Sequence, residues 1–463
     1  IHSVFWVHVY FHSRKYLRVE NGQLQFSFHC LSIFVRDIRG DEWGGCSAIA
    51  NENKRTGLPE SIMKIAMAGQ NYFVRGGSDK VLIETEKMLR AYGHEVAPFC
   101  GADKENQASE WLEFFPKKEV SISSPRLSDV VRYVYNFDAK KAVRRFIREF
   151  GPDVFHCHIY YGKLSASILA EVKSHAIPLV QTIHEYKLVC PTYQLSSNGS
   201  VCEKCTNFKF HNVLTHRCNK GSVMRSAASM VESYVSYMFG SVEKIDRFIA
   251  VSDFQRNKVI SMGVPEHKVS TIHNFVDIDE IVPEYHVGRY FIYFGRVEKE
   301  KGIWVLLAAF KKIKNVNLLI VGVGGAYEDA REYCRKNAMS NVTFFGFATR
   351  DQLGGLVRGA TASIVPSVWY ETFGLSAAES LAYGKPVIAA DIGGLPEVLS
   401  AGDDSTLVEA GNVDALITAV EEMAYGKLDL EKMGRVGRKN VESKFSRPAH
   451  YEKLSALYRS VMS

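Results

Sequence analysis

The chain has 463 residues, 46% hydrophobic and 23% charged, with a formal net charge of +6. That length is too great for one ordinary core and predicts two or three domains, while the composition is that of a globular protein and excludes a disordered or fibrous one. The charge is mild for the length: it suits a phosphate-rich ligand or an anionic membrane surface and gives no reason to expect nucleic acid.

No run of about eighteen apolar residues is present, so no spanning helix is expected. The nine cysteines are odd in number and unevenly spread. They do not read as a secreted disulfide framework, and a reducing, cytoplasmic setting is expected. The sequon Asn198-Gly199-Ser200 would then be idle.

Residues 1–62 start with Ile and are rich in His, Phe and Trp without clear periodicity. They read as an N-terminal extension, either ordered or upstream of a natural start at Met63. A secretory leader is a poor match, because no basic start leads into one compact apolar stretch.

From Met63 short apolar runs alternate with amphipathic helical patterns. KIAMAGQNY predicts a strand, and Gly76-Gly77-Ser78-Asp79 then makes a turn into a helix. Glycines let backbone approach a ligand closely, and Ser78 is a candidate N-cap that leaves amides free toward an anion. Lys140, Lys141, Arg144, Arg145 and Arg148 fall on one predicted helix and read as its solvated face. PDVFHCH, PLVQTIH and RFIAVS are further strands. His156 and His158 straddle Cys157, so they point to one side of their strand. Polar residues beside a cleft are the preferred account, and a metal the alternative.

Cys190, Cys202, Cys205 and Cys218 gather in one short region with C-x-x-C at its centre. Four thiolates could hold a structural zinc; reduced, loosely packed thiols are the alternative. The stretch from Lys209 to Lys244 mixes basic, aromatic and Met residues. It predicts an amphipathic helix able to rest on a membrane.

Asp277-Ile278-Asp279 falls in a hinge near residues 276–289 and reads as linker rather than as a metal-bound diphosphate motif. The alternation restarts with YFIYFGRVEKEKG, a strand, a glycine turn and a basic loop carrying Arg296 and Lys301. GIWVLLAAFKKI predicts a helix, and VNLLIVGVGG, VTFFGF, ASIVPS and PVIAAD predict strands. In Gly322-Val323-Gly324-Gly325 the third glycine of a dinucleotide fingerprint is replaced by Tyr327, so a plain tight turn is favoured. Two successive doubly wound α/β domains are the simplest account, with ligand in the cleft at the C-terminal ends of the strands.

The stretch ETFGLSAAE places Glu371 before Gly374 and Glu379 inside a helix beginning near Leu375. Eight positions on one ideal helix differ by about 80°, so the two carboxylates would flank the helix start rather than share a point. Amides around Phe373, Gly374 and Leu375 would face phosphate, and carboxylates accept from sugar hydroxyls. Arg forks onto phosphate oxygens and Lys adds a compact charge. A sugar, a diphosphate and a ribose in a row satisfy these features without a metal.

From Met63 onward the sequence resembles glycosyltransferase family 4, through ETFGLSAAE, FGRVEKEKG, GGSDK, TIHEYKLVCP, GGLPEVL and HNFVD. The resemblance implies the GT-B architecture, two Rossmann-like domains facing each other across a cleft. It divides the chain into 63–280 for the acceptor, 281–445 for the nucleotide-sugar donor, and a helix over 446–463 returning to the first domain. It implies transfer with retention from a nucleoside-diphosphate sugar, most simply UDP-hexose, to a hydroxyl of a glycan or lipid-linked acceptor in cell-surface polysaccharide assembly. It needs no catalytic cofactor. Glu371 would contact the donor sugar, Glu379 the ribose, and Arg296 and Lys301 the diphosphate. Gly76 and Gly77 would approach from the other domain, and His184 would lie beside the transferred sugar. Glu185 stands where the family often has Asp. A nucleotide-sugar epimerase of the same fold, or a non-catalytic nucleotide-sugar-binding protein, is the competing reading.

Overall fold

Two six-stranded parallel sheets organise residues 61–463 in a computed structural model of the chain. The described residues are 17–20, 23–26, 61–118, 127–197 and 199–463. The expectations for residues 1–62 and for Asn198 therefore fall largely outside them. An antiparallel pair, Leu17–Glu20 with Gln23–Phe26, is described in the earlier segment.

The first sheet contains β1 (Lys64–Gly69), β2 (Glu95–Cys100), β3 (Val154–Cys157), β4 (Leu179–Ile183), β5 (Arg247–Ala250) and β6 (Val269–Thr271). Their spatial order is β6-β5-β4-β3-β1-β2. The second contains β7 (Phe291–Phe294), β8 (Leu318–Val321), β9 (Val342–Gly346), β10 (Ser363–Val365), β11 (Val387–Ala390) and β12 (Ser405–Val408), ordered β9-β8-β7-β10-β11-β12. The expected pair of doubly wound α/β domains is borne out. Most positions of the central strands are buried and apolar because helices cover both faces, with His156, Gln181, Thr182 and Ser363 as buried polar exceptions. Ile65, Phe155, Leu179 and Phe248 are buried in the first lobe, and Phe291, Ile320, Ile364 and Ile388 in the second. Strand order reverses beside β1 and beside β7, which is where such sheets open a ligand crevice.

Helices place the rest. Helix α1 (Gly77–Ala91) follows β1. Helix α2 (Phe137–Phe150) is capped by Asn136, whose side chain accepts from the amides of Asp138 and Ala139. It buries Ala139, Val143, Phe146 and Phe150. Its basic residues point outward, and Arg144 forks onto Glu171 at 2.6 and 2.9 Å. Helix α3 (Val223–Met238) is turned inside out. Ser226, Ser229, Glu232, Ser233 and Ser236 are buried, while Val223, Met224, Val231, Tyr237 and Met238 are exposed. The polar inner face is explained by Lys187, which is buried and lies 2.5 Å from Glu232.

In the second lobe, α4 (Ile303–Lys312) follows β7, α5 (Leu375–Ala382) follows β10, and α6 (Leu430–Lys444) packs against α5. The chain then crosses back. Helix α7 (Arg447–Met462) sets Tyr451, Leu454, Leu457 and Tyr458 into the core of the first lobe. Tyr451 stacks on Tyr92 with ring centres 3.6 Å apart. The outgoing linker runs beside this return: the Val276 amide donates to the Phe445 carbonyl at 2.9 Å. Asp277 is buried and ion-paired with Arg447, and Asp279 lies 3.9 Å from the same guanidinium. The acidic pair of the linker is thus engaged in joining the two crossings.

Candidate functional site

The loop after β7 is shaped by close backbone packing. Residues Lys299–Lys301 form a single 3₁₀ turn that ends at Gly302, with φ +76°. A Cβ on Gly302 would stand 1.7 Å from the Pro366 carbonyl oxygen, so only glycine lets this turn lie against the segment after β10. The result is that Lys301 Nζ sits 2.7 Å from Glu371 Oε1. Ser367 donates to the same oxygen at 2.5 Å, and the Trp369 ring lies beneath the ammonium, 5.0 Å from ring centre to Nζ. Glu371 is buried. Burial alone would raise its pKa; the Lys301 charge, with hydrogen bonds from Lys301 and Ser367, more than offsets this and holds the carboxyl below its ordinary value.

Behind Glu371 stands the glycine pair of GGLPEVL. The Gly394 amide donates to the Glu371 carbonyl at 2.8 Å. A Cβ on Gly393 would come within 2.4 Å of that carbonyl oxygen. This pair, like Ser367 and Trp369, fixes the Glu371 backbone and carboxylate. The signal in the sequence was the doubled glycine, whose partner lies in another loop. Arg296 is half-exposed and only loosely paired, 3.9 Å from Glu300, so its guanidinium is available to an anion.

Gly374 precedes α5, and the amides of Ala377 and Ala378 already donate to its carbonyl. The amides at Gly374, Leu375 and Ser376 belong to the first turn that a helix leaves unpaired. Phe373 is buried beside them. Glu379 lies one turn further on, and its carboxylate meets Lys80 of α1, from the opposite lobe. Gly77 is equally close: a Cβ there would touch Leu375 at 3.5 Å. The lobes therefore meet at the points the sequence singled out on each side. A cleft open to solvent is lined here by Lys80, Glu84, Arg350, Leu375, Glu379 and Tyr383. Lys80 was missed because nothing local marks an acidic partner 299 positions away.

One local expectation is corrected. Ser78 is not the N-cap of α1: the cap is Gly76, in extended backbone. Asp79 does the capping, accepting from the amides of Gly76 at 3.1 Å and Arg75 at 3.3 Å. A carboxylate oxygen one bond further from Cα than a serine hydroxyl reaches back from inside the helix, which displaces the serine from the role.

The histidines form a connected set. His156 is buried, with Nδ1 2.6 Å from the Tyr458 hydroxyl and Nε2 2.8 Å from Thr182 Oγ1. Its ring lies 4.5 Å from that of His158. His158 Nδ1 is 2.8 Å from His184 Nε2, so one ring donates and the other accepts. His156 thus serves the interior, and only His158 reaches toward His184 at the end of β4. Burial lowers His156 and His184 to about 3, with neighbouring histidine charge adding to the effect at His156. Glu185 is pushed the other way, up to about 7, by burial, against opposing contributions from Tyr161, Lys187 and Arg296. The Thr372 hydroxyl donates to the His184 carbonyl at 3.2 Å, linking this strand end to the Glu371 loop.

A second contact joins the lobes. Glu397 of GGLPEVL accepts from the amides of Asp253 at 2.7 Å and Phe254 at 2.5 Å, and lies 3.3 Å from His273. Among the described residues, Asp253, His273 and Glu397 are the group of metal-binding side chains whose ligand atoms fall within 4.8 Å of one another. Glu397 is already committed to those amides and Asp253 to the Thr271 hydroxyl at 2.6 Å, which explains the cluster without an ion. Cys190, Cys202, Cys205 and Cys218 line a separate small pocket in the first lobe.

Two family models divide the chain at its linker. Residues 75–280 match Glycosyltransferase Family 4 and residues 277–440 match Glycosyl transferases group 1. An uncharacterized glycosyltransferase of Methanocaldococcus jannaschii is 29% identical over 203 residues, 43% of this chain and 56% of that protein. The chain thus spans little more than half the length of that relative. A phosphatidyl-myo-inositol mannosyltransferase of Mycolicibacterium smegmatis is 25% identical over 368 residues, covering 77% of this chain and 84% of the relative. A solved structure of Anabaena HepE with UDP and glucose superposes with a TM-score of 0.59 at 15% identity, over 86% of this chain and all of the other. At that identity the likeness concerns the fold.

Proposed function

The chain belongs to family 4 of the glycosyltransferases, and from that premise we propose that it moves a hexose from a nucleoside-diphosphate sugar, most simply UDP-hexose, to a hydroxyl of a glycan or lipid-linked acceptor, with retention of configuration. The observation that carries this reading is the pairing of Lys301 with buried Glu371 beside the unpaired first turn of α5, facing Gly77 and Lys80 of the other lobe. A diphosphate laid across that turn meets backbone amides, Lys301 and Arg296. Glu371, kept ionised, accepts from hydroxyls of the sugar, and Glu379 from those of the ribose.

Glu371 is shackled to Lys301 and Ser367, which suits an acceptor of hydrogen bonds better than a nucleophile. Retention then comes from attack by the acceptor hydroxyl on the face from which the diphosphate departs, with a phosphate oxygen taking its proton. Fixed cations and amides meet the charge that develops on the leaving group. Neutral His184, held by His158, offers one ring nitrogen beside the transferred sugar. The UDP in the HepE structure and the sugar-transferring relatives support the donor class. The wild-type protein is expected to release UDP from one member of a panel of UDP-hexoses with no metal added, and to give an acceptor product of unchanged anomeric configuration by NMR. Conversion of the donor to an epimer without an acceptor would favour the epimerase. Thermal stabilisation by donor with no product of any kind would favour a binding protein.

The acceptor is assigned to cell-surface polysaccharide or lipid-linked glycan assembly, at the inner face of a membrane. Among the described residues no helix is long and apolar enough to cross a bilayer. The inverted helix α3 supplies a peripheral contact, because Met224, Val231 and Met238 face outward with Arg225 among them. Flotation with anionic vesicles is expected to carry the protein, and Met224→Glu with Met238→Glu is expected to cut the floated fraction at least about fivefold, each buried apolar group counting toward the bilayer. Equal flotation of the variant would remove α3 from the contact.

A further inference from the structure

The segment between β4 and α3 has little regular structure, and its apolar packing is small: Leu195, Phe210 and Val213 are buried, with Phe208 and Phe210 against Tyr237 and Tyr234 of α3. Among the described residues between Cys190 and Gly221, regular structure amounts to a two-residue hairpin, Ser196–Ser197 with Ser200–Val201, one 3₁₀ turn and the four-residue helix Asn212–Thr215. Tyr193, Leu195, Asn207, Phe208, Arg217 and Lys220 all have positive φ. Non-glycine residues persist in that region only where their surroundings over-determine them. A stretch this short, this irregular and this strained needs a cross-link that a small apolar core does not supply.

Four cysteines stand where that cross-link would be. Cys190 enters from the turn after β4, Cys202 and Cys205 from the C-x-x-C that follows the hairpin, and Cys218 from the end of the short helix. All four line one pocket, and none is in a disulfide. Lys204 and His216 line the same pocket, with Nζ and Nε2 2.7 Å apart. A Cys₄ zinc centre carries a net charge of about −2, which this basic rim complements.

We propose that Cys190, Cys202, Cys205 and Cys218 bind one structural zinc ion. Soft thiolates in a four-sulfur set select zinc over hard cations. Binding replaces four S–H bonds with four Zn–S bonds and releases four protons to solvent. No three of the sulfurs lie within 4.8 Å of one another, whereas Zn–S bonds of about 2.3 Å require closer sulfurs. The ion therefore draws them inward, exchanging the weak contacts of Cys190 with Thr192 at 3.5 Å and of Cys218 with Ser197 at 3.9 Å.

The site holds more than its own loop. Gln194 donates to Glu300 at 3.1 Å, and Glu203, inside the C-x-x-C, accepts from Tyr370 at 3.1 Å and lies 2.6 Å from Lys258. Glu300 neighbours Lys301 and Tyr370 neighbours Glu371. The zinc knuckle thus braces both loops of the second lobe from the first.

Metal analysis of the full chain, purified under reducing conditions from zinc-supplemented cells, is expected to find about one zinc per chain. A zinc-selective chelator is expected to release it and to raise the number of cysteines alkylated in the native protein by four. Cys202→Ser with Cys205→Ser is expected to reduce the zinc to near zero. Absence of zinc from the wild-type protein, disulfides among the four, or full zinc retention in the double variant would overturn the assignment. Should the variant fail to fold, the wild-type metal content and chelator-dependent alkylation still decide. No sugar donor enters these measurements, so their outcome is separate from that of the transfer assay.

Discussion

Glu371→Gln is expected to lower kcat/KM for sugar transfer by about 10²–10³-fold, equivalent to about 2.7–4 kcal/mol of transition-state stabilisation. The amide keeps the size and the hydrogen bond from Ser367 but removes the charge. Two things are then lost together. Sugar hydroxyls meet a weaker acceptor, and Lys301 loses the partner that holds it 2.7 Å away beside Trp369. Lys301→Ala is expected to cost at least as much, because on the proposed reading it deletes the cation that meets the departing diphosphate. The paired carboxyl lies below its ordinary value, so the wild-type rate should show no titration of Glu371 above the normal carboxylate range. Both variants should keep the wild-type far-UV spectrum and a cooperative urea transition, since the pair sits in a loop above the core of the second lobe. Breaking a pair leaves an uncompensated charge, and a loss of about 1–3 kcal/mol in stability is allowed for. Wild-type transfer rates in both variants would sink the site.

Mild acid is expected to weaken the fold of the first lobe well before most carboxylates are protonated. His156 and His450 are buried, with pKa values lowered by burial to about 3 and about 4. Unfolded, each would titrate near 6.5. Between these values the unfolded chain takes up protons that the folded chain refuses, so stability is complete above about 6.5 and falls as pH drops toward 3–4. At pH 5 the difference of about 1.5 units per histidine is worth about 2 kcal/mol each, roughly 4 kcal/mol for the pair. That is a large part of an ordinary domain stability of about 5–15 kcal/mol. Glu185 acts in the opposite sense, because its raised carboxyl favours the fold as pH falls from about 7 toward its ordinary range. Urea midpoints at pH 7.5 and pH 5 measure the sum. His156→Gln, which keeps hydrogen-bonding capacity toward Tyr458 and Thr182 but has no titration, should flatten the slope. An unchanged slope would locate the acid sensitivity elsewhere.

How much of this was legible in the sequence follows from the range of each interaction. Strands β1, β7, β8 and β11 announce themselves as KIAMAG, FIYF, LLIV and VIAA, because burial on both faces demands unbroken apolar runs. The edge strands Val269–Thr271 and Ser405–Val408 are short and half polar, and carry no such signal. Lys301 and Glu371 each stood out by type and by position after a strand, although their contact spans 70 positions. Lys80 did not, because it reads as one more polar position on an amphipathic helix until Glu379 is brought opposite. Gly393 and Gly394 were visible as a motif but not as a brace, since their reason is the carbonyl of Glu371. The preference for Ser78 as a cap failed for want of three-dimensional reach, as Asp79 curls back to the amides ahead of it.

Helix α7 has a mechanical consequence. Polypeptide passes between the lobes twice, outward through the linker after Val276 and inward at Phe445, and the two strands of this strap are sewn together by an amide and by Arg447 with Asp277. A single tether would let one half swivel freely about the other. A doubled one resists twisting and leaves chiefly a bend about the line joining its two threads. Any opening between Gly77 and Leu375 is thereby confined to one hinge direction instead of a free swivel.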